Sequence, residues 1–460
     1  MSATATSTDR NLPLLQKARE LIAKGDLKNA AITLNDANRT MPGDARVFML
    51  GGLMAEKAGN TKAAFESMRK AVSLAPEWGP GLLELALLLA RNNQFDEAIA
   101  TAEKVHKLEP RNPMVLAGTI DIAHRAGHLD MAVRLLRHGL SLHPNDPQLT
   151  ILLATDLASM GQNTEALSLW DELATANPHA PDVLLGRLKT NLAMSRLQQA
   201  AQDGEALLAI DPQNLVYVFH AALANGQTPS QQPAEVAQQL FDGIASSYDM
   251  HMVRALGYRL PQQVADKLLA LRPDKNFNVL DLGCGTGLLG VCIGRLAGAL
   301  VGVDVSREMI AQAARHNVYD KFHTVNIHDA LDATPESLYE VIAALDVFIY
   351  AGDVTKAIPD AHRILVPGGT FVASFEVAPE DGPSMALLPT GRYAHTRSSV
   401  TQVCQAAGFA SIDIENTVIR LENGAPVNGF VVWATKGATK LAKAARTPKA
   451  PKAAAVKASA

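Results

Sequence analysis

The run Asn278-Val-Leu-Asp281-Leu-Gly283-Cys-Gly285-Thr-Gly287 decides how the second half of this chain folds. A short apolar stretch of strand character meets three glycines at alternate positions. Glycines there let backbone N–H groups approach a ligand and aim at it from the start of the following helix. Gly285-x-Gly287-x-x-Gly290 also satisfies the spacing of a dinucleotide-binding turn. Asp281 argues against a dinucleotide, because a carboxylate at that place repels a pyrophosphate but accepts hydrogen bonds from the ammonium of an amino-acid ligand. Working outward, further apolar runs follow: 299–304, 322–327, 345–350 and 370–375. Their spacing of about 20 residues is that of βαβ units and predicts a parallel, doubly wound sheet. Segments 411–421 and 427–435 read as two closing strands. Asp304 ends the second run, 19 residues after Gly285, where a ribose diol is gripped in such folds. Asp329 follows the third run, in reach of an adenine amino group.

Three acids at the ends of three successive strands resemble the class I S-adenosylmethionine-dependent methyltransferases. Val279–Gly287 is similar to that family's first motif, Gly302-Val-Asp304-Val-Ser306 to its second, and Leu365-Val-Pro367-Gly-Gly369 to its late motif. The resemblance covers about 234–435. It implies a Rossmann-like fold with S-adenosylmethionine as cofactor. By that resemblance Asp281, Gly283, Gly285 and Gly287 hold the methionine moiety, Asp304 binds the ribose, Met309 packs the adenine face and Asp329 bonds its amino group. Upstream, Phe241-Asp-x-x-Ala245-x-x-Tyr248-Asp-x-His251 resembles the leading helices with which such enzymes cover the cofactor, so Tyr248 is expected to border the site. Together with Gly391-Arg-Tyr-Ala-His395 and Ala407-Gly-Phe409, this half looks like bacterial methyltransferases fused to tetratricopeptide repeats.

Methyl transfer from a sulfonium needs alignment more than acid–base help. A base is needed only where the acceptor must lose a proton. The segment Tyr350-Ala-Gly-Asp353 lacks the Asn/Asp-Pro-Pro-Tyr/Phe pattern of enzymes that methylate amide or exocyclic nitrogens. Asp353 and His395 are the candidate catalytic residues at the expected mouth, with a helix cap as the plainer role for Asp353. His323 and His328, five apart on the expected third strand, face opposite sides and make no metal pair. No metal site is expected.

Upstream of Pro233 the pattern is different. Pro42, Pro76, Pro110, Pro144, Pro178 and Pro212 are each 34 residues apart, and Ala30, Ala64, Ala98, Ala132, Ala166 and Ala200 run in phase with them. A fixed period of this length marks a stacked helix–turn–helix array. In 45–78 the helices are read as Arg46–Lys57 and Thr61–Leu74, broken at Gly59. The alanine sits where the two helices cross, and the proline ends the unit because it cannot continue a helix. This resembles the tetratricopeptide repeat over roughly 11–214, with Leu14, Phe48 and Leu82 standing at the family's aromatic position. The resemblance places a protein-binding groove on the first helices, presenting Met49, Leu53, Leu83, Leu87 and Met114. Those side chains are not the Lys/Asn set of a terminal-carboxylate clamp. Residues 215–226 close the stack, and Gly226-Gln-Thr-Pro-Ser-Gln-Gln-Pro233 reads as a linker.

The expected organisation is thus an all-α repeat array over 11–225, an α/β domain over 234–435, and a basic Ala/Lys/Pro tail over 436–460. The tail carries seven basic residues and no acid. Removing those charges takes the net charge from −4 to −11. It is expected to be disordered and to offer an acidic or nucleic-acid partner a contact. Cys284, Cys292 and Cys404 form no CxxC, which excludes a disulfide framework or thiolate zinc site and suits a reducing, cytoplasmic location. No signal peptide is read at the N-terminus, and no apolar run is long enough to cross a membrane. The expected function is methyl transfer from S-adenosylmethionine to a protein or small-molecule acceptor. The alternatives are a repeat scaffold with an inert nucleotide site and an NAD(P) oxidoreductase.

Overall fold

The structure, a computed structural model, describes residues 9–388, 390–422 and 424–438. The basic tail therefore lies almost wholly outside the described residues. Two compact units divide the described residues, 9–229 with Gly243–Ala255, and Ser230–Asp242 with 256–438.

The first unit is built from six helix pairs: Leu12–Lys24 with Leu27–Thr40, Ala45–Lys57 with Thr61–Leu74, Gly79–Arg91 with Phe95–Leu108, Pro113–Arg125 with Leu129–Leu142, Pro147–Ser159 with Asn163–Ala176, and Pro181–Ala193 with Leu197–Ile210. Leu215–Ala224 follows them. The physics of the 34-residue period is visible at three phases. All six in-phase alanines have 0% exposure, since a methyl group is all that fits where the helices cross. Each second helix stops two residues before its proline. The residue between takes φ from −131° to −146° with ψ from 61° to 96°, because proline bars its predecessor from the helical region. The turn inside each pair needs a left-handed residue. Gly25, Gly59, Gly127 and Gly161 supply it at φ 69° to 81°, and the other two units force Asn93 and Ser195 into it at 59° and 57°. Of the five expected groove residues, Met49 and Leu83 are core, at 5% and 7% exposure. Leu53 and Leu87 pack against that core, and Met114 stands clear at 76%.

The second unit is a nine-stranded sheet: β1 Val279–Leu282, β2 Leu300–Asp304, β3 Lys321–Thr324, β4 Tyr339–Ala344, β5 Leu365–Val377, β6 Met385–Leu387, β7 Tyr393–His395, β8 Phe409–Glu422 and β9 Ala425–Lys436. The order is β3-β2-β1-β4-β5-β7-β6, with β9 antiparallel to β5 and β8 closing on β9. Strands β1 to β5 are mutually parallel. Chain direction across the sheet reverses between β1 and β4, so the crevice at their carboxyl ends is the place where such sheets bind ligands.

Two sequence expectations shift here. The run 345–350 was expected as the fourth strand, but β4 is Tyr339–Ala344 and Phe348–Ala351 is a helical turn. The true strand reads Tyr-Glu-Val-Ile-Ala-Ala and is less apolar than the run after it, while Asp346 breaks extension with φ 56°. His328 is not on β3 but on the helix Ile327–Ala333, because Asn326 caps that helix through the Asp329 amide at 2.9 Å.

Candidate active site

Strand β1 carries Asp281 into the crevice and turns at Gly283, which has φ 64°. A Cβ there would meet Val347 Cγ2 at 2.5 Å, so the glycine turn lies directly against the loop after β4. Asp281 is 3% exposed. Its Oδ2 accepts a 2.6 Å hydrogen bond from the Tyr319 hydroxyl, which in turn accepts from the Gly290 amide at 3.2 Å. Burial raises the Asp281 carboxyl to about 7, the Tyr319 hydrogen bond opposes that, and nearby Asp304 adds to it.

Asp304, at the end of β2, is 7% exposed. One oxygen accepts from the Gly285 amide and the other from the Ser306 amide, both at 2.9 Å. Burial pushes its carboxyl up, those amides pull it down, and Asp242 raises it. Ser306 caps the helix Arg307–Arg315 by accepting from the Met309 amide at 3.0 Å, and its hydroxyl donates to Asp242 at 2.5 Å. Met309 is 1% exposed. Asp329 is exposed and accepts from Asn326 Nδ2 at 2.5 Å.

Across the crevice, the loop after β4 is held by charge. Asp346 is buried, with its amide donating to Ser374 Oγ at 2.7 Å and its Oδ2 accepting from Arg420 at 2.9 Å. The same guanidinium bonds Glu376 and, at 2.8 Å, Glu422. Arg392 joins Glu376 at 2.7 Å and Glu422 at 2.8 Å. Asp353 is turned to its own neighbour, accepting from the Thr355 amide at 2.8 Å and hydroxyl at 2.9 Å, while the next helix starts only at Ala357. His395, 2% exposed on β7, donates from Nε2 to the Gly352 carbonyl at 2.9 Å, and burial lowers its pKa.

Three stretches match known family descriptions: residues 279–369 a methyltransferase domain, 89–155 and 151–214 tetratricopeptide repeats. The chain joins tetratricopeptide repeats to a methyltransferase domain. The domain's cofactor is S-adenosylmethionine. Among curated proteins, the chain is similar to the ubiquinone biosynthesis O-methyltransferase of Parvibaculum lavamentivorans, at 32% identity over 23% of this chain and 43% of that protein. It also resembles the mitochondrial ubiquinone biosynthesis O-methyltransferase of Mus musculus, at 28% identity over 22% of this chain and 29% of that protein. The chain thus spans less than half the length of these two relatives. Among solved structures, the Burkholderia thailandensis 1,6-didemethyltoxoflavin-N1-methyltransferase aligns over 46% of this chain and 93% of its own, with 19% identity and a TM-score of 0.36.

The methyltransferase domain brings Asp281, Gly283, Gly285, Gly287 and Asp304 to one place. Met309 and Asp329 lie in the first turns of the helices after β2 and β3. Tyr248 falls in Gly243–Ala255, the segment grouped with the repeat unit. The residues fit a cationic ligand. Asp281 and Asp304 are buried carboxylates facing a hydroxyl and amides rather than a counter-ion, so their charge is left for something else to complement. Tyr319, Asp346, Glu376 and Arg420 were not read as site residues in the sequence, and Tyr350 was read only for the pattern its segment lacks. Asp346 and Tyr350 were hidden by the misplaced fourth strand. Tyr319 and Arg420 carry no motif, since each reaches the site from a loop or hairpin far along the chain.

Proposed function

We propose that the chain transfers a methyl group from S-adenosylmethionine to a protein or small-molecule acceptor, with the repeats recruiting a protein partner. The observation that carries this reading is the pair Asp281 and Asp304, buried on either side of the glycine turn with no cation paired to them among the described residues. When bound, the cofactor supplies an electrophilic methyl group on a positively charged sulfur. Asp281, Gly283, Gly285 and Gly287 hold the methionine end in this reading. Asp304 exchanges its amide contacts for the ribose hydroxyls, Met309 underlies the adenine, and Asp329 takes the adenine amino group. Asp353 and His395 hold the chain beside the acceptor through the turn they share around Gly352. The array extends over 11–225 and the catalytic domain over 234–435, joined by 226–233. The relatives' names carry O-methylation, which makes oxygen one acceptor atom to test.

Titration calorimetry with S-adenosylmethionine and with NAD decides between the readings. Micromolar binding of the methyl donor is expected, weakened by about 1–3 kcal/mol in Asp304→Ala. Tight NAD binding makes the protein an oxidoreductase instead. Donor binding without label transfer to any fraction of a host extract makes it a scaffold with an inert site.

A further inference from the structure

The helical turn Phe348–Ala351 presents Tyr350 at the carboxyl edge of β4, the strand beside β1 in the sheet. Val347, three residues earlier, already touches the space over Gly283. The ring of Tyr350 is held edge-on against Phe241, centroids 5.0 Å apart. Its hydroxyl makes no hydrogen bond with any described residue, although Arg392, Asp346, Arg420 and Glu376 all lie within electrostatic reach of it. Those four charges, together with Glu422, are spent on one another through the bonds given above. What they leave beside them is a phenol hydroxyl with no hydrogen-bond partner among the described residues, next to a cluster of two arginines and three carboxylates. The turn that carries it is braced on both sides. His395 grips the Gly352 carbonyl at 2.9 Å, and the Asp353 amide donates to the Ser230 carbonyl at 2.9 Å.

We propose that Tyr350 is the acceptor-contacting residue of the site, its hydroxyl hydrogen-bonding the attacking atom of an uncharged hydroxyl or amine. Arg420 is its positioning residue, acting through Asp346, whose left-handed backbone sets the loop between β4 and Tyr350. The inference rests on the methyl-transfer reading. Burial holds the phenol up at about 12, so it stays protonated and cannot serve as the base. It orients the acceptor lone pair instead. An uncharged acceptor that gains a methyl group loses one proton, and that proton goes to water. The cluster offers no uncompensated cation, so a carboxylate acceptor is disfavoured.

The test uses the full chain, S-adenosylmethionine labelled in its methyl group, and a host-cell extract as acceptor pool. Tyr350→Phe is expected to bind the donor as the parent does and to transfer label at least 10-fold more slowly. Arg420→Lys is expected to slow transfer with donor affinity kept. Label should remain on the product through mild base, as ethers and N-methyl groups do. Three results overturn the proposal: full transfer by Tyr350→Phe, an unchanged rate in Arg420→Lys, or release of the label as methanol, which marks a methyl ester. A parent protein that binds no donor, or binds it without transfer, instead sinks the methyl-transfer reading itself.

Discussion

In the repeat array the buried carboxylates Asp156 and Asp203 each face a nitrogen partner, His124 at 2.8 Å and Arg187 at 2.6 Å, whereas Asp281 and Asp304 of the α/β unit are buried against hydroxyl and amide donors alone. The first kind of acid is consumed by the fold. The second has no counter-ion among the described residues, which leaves its ionised form for a ligand to complement. Asp346 and Glu376 form a third kind, both paired with Arg420 and Glu376 with Arg392 as well. A buried ion pair seldom stabilises more than apolar packing of the same volume would. Its occurrence here, beside a backbone at positive φ, is better explained by placing a loop than by holding the sheet together.

The largest expected effect follows from that contrast. Arg420→Met strands the buried Asp346 carboxylate, while Glu376 keeps Arg392, and should cost about 3–5 kcal/mol. Arg137→Met, which breaks an array pair whose side chains are 51% and 49% exposed, should cost no more than about 1 kcal/mol. Urea unfolding of the two variants breaks the comparison if the costs are alike. A smaller effect tests the array's own packing. Ala132→Leu puts three extra carbons where helices cross at 0% exposure and should cost about 1–3 kcal/mol. Donor binding should survive it, since Asp281 and Asp304 belong to the other unit.

The two units should also answer pH in opposite senses. His220 is buried with both ring nitrogens unpartnered, and burial, aided by Lys189, lowers it to about 3. Its unfolded value is 6.5, so the unfolded chain takes the proton first and the array loses stability as pH falls from 6.5 toward 3. Asp281 is raised from 3.8 to about 7, so the folded state holds the proton longer. The α/β unit therefore loses stability as pH rises from 3.8 to about 7 and is flat above. A cationic donor favours the ionised carboxylate, so its affinity should climb through the same window. His220→Leu should flatten the acid limb and Asp281→Asn the neutral one, read by thermal unfolding across pH 3–8. If either variant leaves its limb in place, the group named for it is the wrong one.

How much of this was legible in the chain depended on whether a residue's role was local. In the unit 45–78, the one whose helices were bounded, the ends of Arg46–Lys57 and Thr61–Leu74 fall within a residue of the observed ones, because pre-proline sterics act on the neighbouring residue. The glycine turn and Asp304 were legible because a strand end followed by glycines is a local arrangement too. The fourth strand was misplaced because hydrophobicity alone cannot tell Leu345–Tyr350 from a buried strand, and that error hid Asp346 and Tyr350. Arg420 was beyond reach, since its 74-residue separation from Asp346 is closed only by β8 pairing with β9.

The smallest effect sharpens the array against itself. Four of the six pairs turn through glycine, and two turn through Asn93 and Ser195 at φ 59° and 57°. A left-handed residue with a side chain costs about 1–2 kcal/mol because Cβ crowds the following carbonyl, and asparagine tolerates it better than serine. Glycine removes that strain but also gives the unfolded chain more freedom to lose, which returns part of the gain. Ser195→Gly should therefore stabilise the array by only about 0.5 kcal/mol, with Asn93→Gly smaller still. The reverse change, Gly127→Ser, should cost about 1 kcal/mol, since it adds the strain at a turn where φ is already 69°. Calorimetric unfolding of the three variants orders them. If Ser195→Gly is neutral while Gly127→Ser is costly, the sixth pair has adapted to its serine by some means other than the turn, and the repeats are not equivalent at that phase.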